Sequence, residues 1–195
     1  DYRYKGKPLN ISKYLIENGA RFIFNISSSP WTYGKDHARN NRIQESFKDA
    51  SRFVPFYYVN CTGVQNNGKN IVVFDGDSTI YNEKAKVVRT CSEPFTEELL
   101  IHDTNSALKP VKKEPLAAVK AKYLAVTEGI RGMDEIMGND QFPYVVGVSG
   151  GIDSALTACL LSQAAGSKRV VAINLPTRYN SQITREIAAN LTGKL

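Results

Sequence analysis

The run Tyr144-Val145-Val146-Gly147-Val148 is apolar enough for a strand, and it leads straight into Ser149-Gly150-Gly151-Ile152-Asp153-Ser154. A helix-forming segment follows at once. Adjacent glycines let a backbone approach an anion with no Cβ in the way. N–H groups at the start of a helix point at that anion, and the helix dipole favours its negative charge. Ser149 and Ser154 add hydroxyls, so the stretch Gly147, Val148, Ser149, Gly150, Gly151, Ile152, Asp153, Ser154 is a candidate phosphate cradle. Asp153 would repel a bare phosphate, but it suits a Mg²⁺ ion bound to pyrophosphate. The string lacks the Gly-Lys-Ser/Thr of a Walker loop, and it is not a dinucleotide fingerprint. The plainer reading of the same residues is a Gly-containing turn in which Asp153 or Ser154 caps a helix.

The elements that must position this loop follow from hydrophobic spacing. Tyr144–Val148 is expected as a short buried strand, Asp153–Ala165 as a helix, Arg169–Asn174 as a second buried strand and Asn180–Asn190 as the start of another helix. Strand, loop, helix, strand, helix in that order implies a parallel sheet with crossover connections. Two strands make a poor sheet, so further strands are expected beyond Leu195. A helix over Leu116–Met137 precedes them, with Val119, Tyr123, Val126, Ile130 and Met133 as its apolar face.

The first hundred residues alternate between the two periodicities. Ile11–Asn18 is expected to be helical with Gly19 as its stop, and Arg21–Ser27 to be a buried strand. Asp36–Phe53 follows as an amphipathic helix with Ile43, Phe47 and Ala50 on one face. Strands are expected at Pro55–Val64, Asn70–Asp75 and Lys86–Ser92, separated by turn chemistry in Gln65–Asn70 and Phe74–Ser78. From Ser92 to Pro115 the chain turns charged and Pro-containing, without a period. The resulting division is 1–103, a linker at 104–115, and 116–195.

Composition excludes several classes. Hydrophobic residues make up 42% and charged residues 23%, ordinary for a globular chain. No apolar run nears the ~20 residues of a membrane span, and the N-terminus has no signal-peptide pattern. The absent initiator Met predicts that the chain continues a longer protein. The net charge of +6 comes from scattered residues, with no basic stripe interleaved with aromatics, so no nucleic-acid partner is expected. Three cysteines, Cys61, Cys91 and Cys159, show no metal spacing, and only two histidines, His37 and His102, are present. That usage fits a reduced cytoplasmic protein, with all three cysteines as structural core residues and Cys159 on the buried side of its helix.

The Ser149–Ser154 string resembles the SGGxDS signature of the N-type ATP pyrophosphatases, which cleave ATP between the α- and β-phosphates and release pyrophosphate. The next segment, Pro176-Thr177-Arg178-Tyr179-Asn180-Ser181, resembles the second strand end and following helix of NAD synthetases. The resemblance implies MgATP in the loop with Asp153 on the metal, and makes Asn174, Arg178 and Gln182 possible ATP contacts. Arg178 as an ordinary surface arginine is the alternative.

The first half offers a separate comparison. Its N-x-S-x-S-P run at Asn25–Pro30, Gly34-Lys35, Arg39, Val59-Asn60, Gly63, Gln65 and the F-D-G-x-S string at Phe74–Ser78 resemble the nitrilase-type glutamine amidohydrolase domain fused to many NAD synthetases. Amide hydrolysis there needs a Cys thiolate, a carboxylate and a lysine. Carried over, that triad lies upstream of Asp1, and none of it falls within this chain. Cys61 sits in a strand with no base and no helix N-terminus beside it, which suits a core cysteine. The resemblance does place Ser29 and Lys35 at positions that contact substrate glutamine. A capped turn and a solvated lysine are the plain alternative.

Together the resemblances imply an α/β chain: the C-terminal part of a nitrilase-like α-β-β-α domain, then the start of a parallel-sheet, Rossmann-like domain of the adenine nucleotide alpha hydrolase type. The implied reaction is ATP-dependent amidation of deamido-NAD with ammonia from glutamine, releasing AMP and pyrophosphate. The implied partners are small molecules, without nucleic acid or membrane, and with self-association into a homo-oligomer. Three rival readings remain. One is another amidating ATP pyrophosphatase of the GMP-synthetase kind, and another a nitrilase-family amidase with a nucleotide-binding module. The third is a degenerate remnant that only binds.

Overall fold

The structure, a computed structural model, describes residues 3–138 and 142–194. The outer limits expected at Asp1 and Leu195 fall outside the described residues. In chain order the elements are β1 (Arg3–Tyr4), β2 (Lys7–Pro8), α1 (Ile11–Glu17), β3 (Ile23–Ser27), α2 (Lys35–Ser46), β4 (Phe56–Asn60), β5 (Thr62–Asn66), β6 (Ile71–Asp75), β7 (Thr79–Tyr81) and β8 (Val87–Thr90). They continue as α3 (Ala118–Ile136), β9 (Tyr144–Gly147), α4 (Ile152–Ala165), a 3-10 turn at Ser167–Arg169, β10 (Val170–Ile173) and α5 (Gln182–Thr192). The chain divides into two compact units, one of residues 1–63 and 72–122, the other of residues 64–71 and 123–195.

The first unit is built on a four-stranded sheet in the order β3-β4-β7-β8. β3 runs parallel to β4, and β7 is antiparallel to both β4 and β8. One face of this sheet carries the core. Ile23, Phe56, Tyr58 and Tyr81 pack with Ile16 of α1 and with Ile43 and Phe47 at the α2 side. Strand residues alternate between faces, so the partners of these core positions turn the other way. Phe24 is 65% exposed and Ile26 86% exposed. The expectation of a buried strand at 21–27 is therefore corrected: among the described residues β3 stands at the edge of this sheet, and Ile23 is its one buried residue.

Other expectations shift for local reasons. The helix expected to reach Phe53 ends at Ser46, with Phe47 as its C-cap. Val54 precedes Pro55, which disfavours a helical conformation there, while Phe47 and Ala50 still reach the core through the turns that follow. The strand expected over 55–64 breaks at Cys61 into β4 and β5. There the Cys61 N–H donates to Ser27 and the Cys61 carbonyl accepts from Gly76. β7 was not read from the sequence, because its three residues, all buried, are too short to show alternation.

The second unit centres on β9 and β10, paired in parallel from Tyr144↔Val170 to Gly147↔Ile173 as the element order predicted. Val146, Val148, Ala158 of α4 and Ala188 of α5 form its core, with Leu161, Val170, Ala172 and Leu191 against them. Both strands were expected to be buried, yet Val145, Val171 and Ile173 are exposed. The two helices cover a single face. On α4 the fully buried position is Ala158, so its neighbour Cys159 points outward, and the core role expected for that cysteine is wrong. Helix α3 also rotates away from its expected face. Val119, Val126 and Met133 are exposed, whereas Ala121, Ala125, Thr127 and Gly132 are buried. Small residues allow close packing, and the apolar size pattern concealed that. Among the described residues, no helix is long and apolar enough to cross a membrane.

Candidate functional site

The candidate phosphate loop lies between the end of β9 and the start of α4. Val148 continues the sheet by donating its N–H to the Ile173 carbonyl at 2.8 Å, which fixes where the chain leaves the strand. The loop then closes on itself through its serines. The Ser149 N–H donates to Ser154 Oγ at 3.2 Å, the two hydroxyls lie 3.2 Å apart, and Ser154 Oγ donates to the Gly151 carbonyl at 3.1 Å. The Gly151 N–H donates to Ser149 Oγ at 3.3 Å. Ser149 and Ser154 thus shape the loop. Gly151 is the N-cap of α4, with extended φ −85° and ψ 159° and no side-chain cap. The first-turn N–H groups that no carbonyl can reach within the helix belong to Ile152, Asp153 and Ser154.

Gly150 is required by geometry. Its φ is +85°, and a Cβ there would fall 2.2 Å from the carbonyl oxygen of Thr184. The first turn of α5 therefore lies directly against the loop. Ser181 caps that helix by accepting from the Thr184 N–H at 3.3 Å.

The other positions expected to meet ATP lie on the same carboxyl edge of the two-stranded sheet. Asn174 follows the last residue of β10, and Gln182 is the first residue of α5, donating to Glu186 at 2.8 Å. Arg178 is exposed on the connecting loop, where it stacks over Tyr179 at 4.8 Å and donates to the Tyr179 hydroxyl at 2.6 Å. That loop is held by local hydrogen bonds. Asn180 Oδ1 accepts from the Thr177 N–H at 2.7 Å, and Arg185 donates to the Thr177 carbonyl at 2.6 Å.

Asp153 presents an exposed carboxylate in the first turn of α4. Among the described residues no cluster of three metal-ligating side chains exists. That donor set fits a Mg²⁺ held mainly by phosphate oxygens and water, with one carboxylate from the protein, which is the usual manner of nucleotide-bound Mg²⁺.

In the first unit, Ser29 and Lys35 flank one loop. Lys35 Nζ donates to the carbonyl of Pro30, the residue after Ser29. Burial pushes the Lys35 ammonium below its ordinary value, with Arg39 and Arg42 adding to the effect against the pull of Asp75. A lysine at the first position of α2 also opposes the helix dipole. Behind the loop lies a buried polar network assembled from the scattered motif pieces. Arg39 sits 3.2 Å from Asp77 and 3.6 Å from Asp75, and its guanidinium covers the Tyr58 ring at 4.3 Å. Burial raises the Asp75 carboxyl above its usual range, although Arg39 draws it down. Lys113 donates to Asp77 at 2.7 Å and Thr90 to the same carboxylate at 3.2 Å, holding Asp77 at a left-handed φ of 50°. Cys61 stands apart as a half-buried thiol 3.3 Å from the Ser28 hydroxyl.

Residues 127–195 match the NAD synthase family. The matched segment contains the whole Ser149–Ser154 loop and α5. Over most of its length the chain is also homologous to proteins named glutamine-dependent NAD(+) synthetase. That from Synechocystis is 32% identical over 93% of this chain and 32% of its own length, and that from Acinetobacter baylyi is 30% identical over 96% and 34%. The solved structure of glutamine-dependent NAD+ synthetase from Acinetobacter baumannii, in complex with adenosine diphosphate, superposes with a TM-score of 0.76. It is 31% identical, covering 92% of this chain and 33% of that one. The chain therefore spans about a third of the length of the relatives it matches. The fold is mixed α/β and matches a chain of that enzyme.

Proposed function

We propose that the protein carrying this chain amidates deamido-NAD to NAD, using MgATP and ammonia released from glutamine. Residues 1–103 are read as the C-terminal part of a nitrilase-like glutaminase domain and residues 116–195 as the start of an adenine nucleotide alpha hydrolase-like domain, joined by 104–115. The observation that carries the reading is the serine-closed loop at the start of α4, with Gly150 pressed against Thr184. The similarity to a relative solved in complex with adenosine diphosphate supports nucleotide binding by this protein.

In this reading the nicotinate carboxylate of deamido-NAD attacks the α-phosphorus of ATP and pyrophosphate departs. Ammonia then displaces AMP from the acyl adenylate. The Ser149 and Ser154 hydroxyls and the first-turn N–H groups of α4 hold the departing pyrophosphate, stabilising charge as it develops. Asp153 is the protein ligand for Mg²⁺, which supplies Lewis-acid neutralisation of the phosphate charge when bound. Asn174, Arg178 and Gln182, on the loop and helix beside the strand end, are the proposed contacts to ATP. Ser29 and Lys35 are the proposed contacts to glutamine. The partners are thus deamido-NAD, ATP and glutamine or ammonia, with self-association of the whole protein proposed on the resemblance alone.

The test is NAD formation by the protein carrying this chain, with MgATP, deamido-NAD and either glutamine or ammonium. Asp153→Ala is expected to abolish synthesis from both nitrogen sources while glutamate release continues. Synthesis that survives the substitution with ammonium would sink the assignment of Asp153 and the loop.

A further inference from the structure

Asn60 ends β4 in the first unit and is buried. Its side chain makes three hydrogen bonds. Oδ1 accepts from the Ser29 N–H at 2.8 Å, while Nδ2 donates to the Ser29 carbonyl at 3.3 Å and to Asp75 Oδ1 at 3.3 Å. Only one orientation of the amide satisfies all three, because Ser29 offers one donor and one acceptor and the Asp75 carboxylate can only accept. A carboxylate, a hydroxyl or an aliphatic group at position 60 could not make this set. The Asn60 backbone is itself fixed, since its N–H donates to Ser78 Oγ at 3.0 Å. Asp75 is held in turn by Arg39 at 3.6 Å.

The result is a clamp on both peptide groups of Ser29, built from residues that are widely separated in sequence. Among the described residues the Ser29 hydroxyl has no hydrogen-bond partner. Its backbone is thus over-determined while its functional oxygen stays uncommitted, which is how a preorganised ligand contact is built. A buried polar chain from Arg39 through Asp75 and Asn60 is costly to assemble. Its effect is local: it fixes one short turn.

We propose that Asn60 is a positioning residue for the amide substrate, orienting the Ser29 hydroxyl through the clamp, with Asp75 and Arg39 fixing the Asn60 amide from behind. This inference rests on the reading that Ser29 contacts glutamine. It assigns Asn60 no contact with the substrate.

The experiment compares Asn60→Ala, Asn60→Asp and Ser29→Ala in the full-length protein. It measures glutamate release against glutamine concentration, and NAD synthesis with ammonium. Asn60→Ala is expected to raise the glutamine KM about tenfold, the size expected when buried partners are orphaned. kcat at saturating glutamine and the ammonium-driven rate should stay within about threefold of wild type, because lost ground-state positioning appears in KM. Asn60→Asp keeps the acceptor for the Ser29 N–H but loses both donors, and is expected to show the same split. An unchanged KM in both Asn60 variants, with a raised KM in Ser29→Ala, would overturn the role of Asn60 and leave the Ser29 reading standing. An unchanged KM in Ser29→Ala would overturn the reading itself. If Asn60→Ala does not fold, or loses both rates together, Asn60→Asp decides on the same split, and a wild-type KM there refutes the clamp.

Discussion

Replacing Gly150 with alanine should test the proposed phosphate loop through its contact with α5. Two costs combine. The residue sits at φ +85°, where an L side chain is disfavoured by about 1–2 kcal/mol. Its new Cβ would also lie 2.2 Å from the Thr184 carbonyl oxygen and 2.9 Å from the Thr184 carbonyl carbon, contacts that must open to at least 3.0 Å. The obstacle is backbone, so no side-chain rotation relieves it. Either α5 retreats or the loop twists, at the roughly 1–3 kcal/mol typical of overpacking. If the loop absorbs even about 2 kcal/mol in losing its anion-binding shape, MgATP should bind about thirtyfold more weakly. The assay is equilibrium titration with MgATP beside thermal unfolding. Gly147→Ala is the contrast, since a Cβ there meets nothing within 4 Å. It should unfold as wild type does, and any loss of affinity must come from the nucleotide itself. A Gly150→Ala protein that binds MgATP within about threefold of wild type at an unchanged midpoint would refute both the close approach and its link to the ligand.

Two stability predictions concern the second unit. Gly132→Ala should lower the unfolding midpoint, because its Cβ would lie 2.3 Å from Cβ and Cγ2 of Val64. The overpacking cost of roughly 1–3 kcal/mol should exceed the ~1 kcal/mol gain in helix propensity, and a midpoint at or above wild type would show that this contact yields freely. Asp134 accepts hydrogen bonds from Arg169 and, at 3.0 Å, from Tyr144, and chiefly the Arg169 bond holds its carboxyl below the usual range. Its contribution is present above the unfolded carboxylate range and lost as pH falls through the lowered folded value. Asp134→Asn should therefore cost most near neutral pH, and its midpoint should converge on wild type on acidification; a gap independent of pH would refute the ion-pair account.

Local patterns were legible in the sequence wherever one residue's neighbours decide its state. The turn at Gly150 and the parallel pairing of β9 with β10 follow from short strings and element order. The face of α3 was not legible. Its buried stripe runs through Ala121, Ala125 and Gly132, where closeness of approach rather than residue size selects the contact, so Val119 and Met133 misdirected the reading. Cys159 failed for the same reason, since Ala158 takes the packed position on α4.

The polar sites divide along the same line. The proposed phosphate loop occupies consecutive residues, so its string stands out from composition and order alone. The Ser29 turn depends on Asn60, Asp75 and Arg39, whose types alone reveal no partners. Pairing of β4 with β3 sets Asn60 opposite Ser27, two residues before Ser29. The hydrogen bond from the Gly76 N–H to the Cys61 carbonyl brings Asp75 alongside. Such a network exists only once the sheet has formed, because each member lacks partners until the other strands arrive. Its assembly is therefore expected to be cooperative with the first unit's core rather than local. That dependence is why the motif pieces were visible as isolated strings while the clamp they build was not.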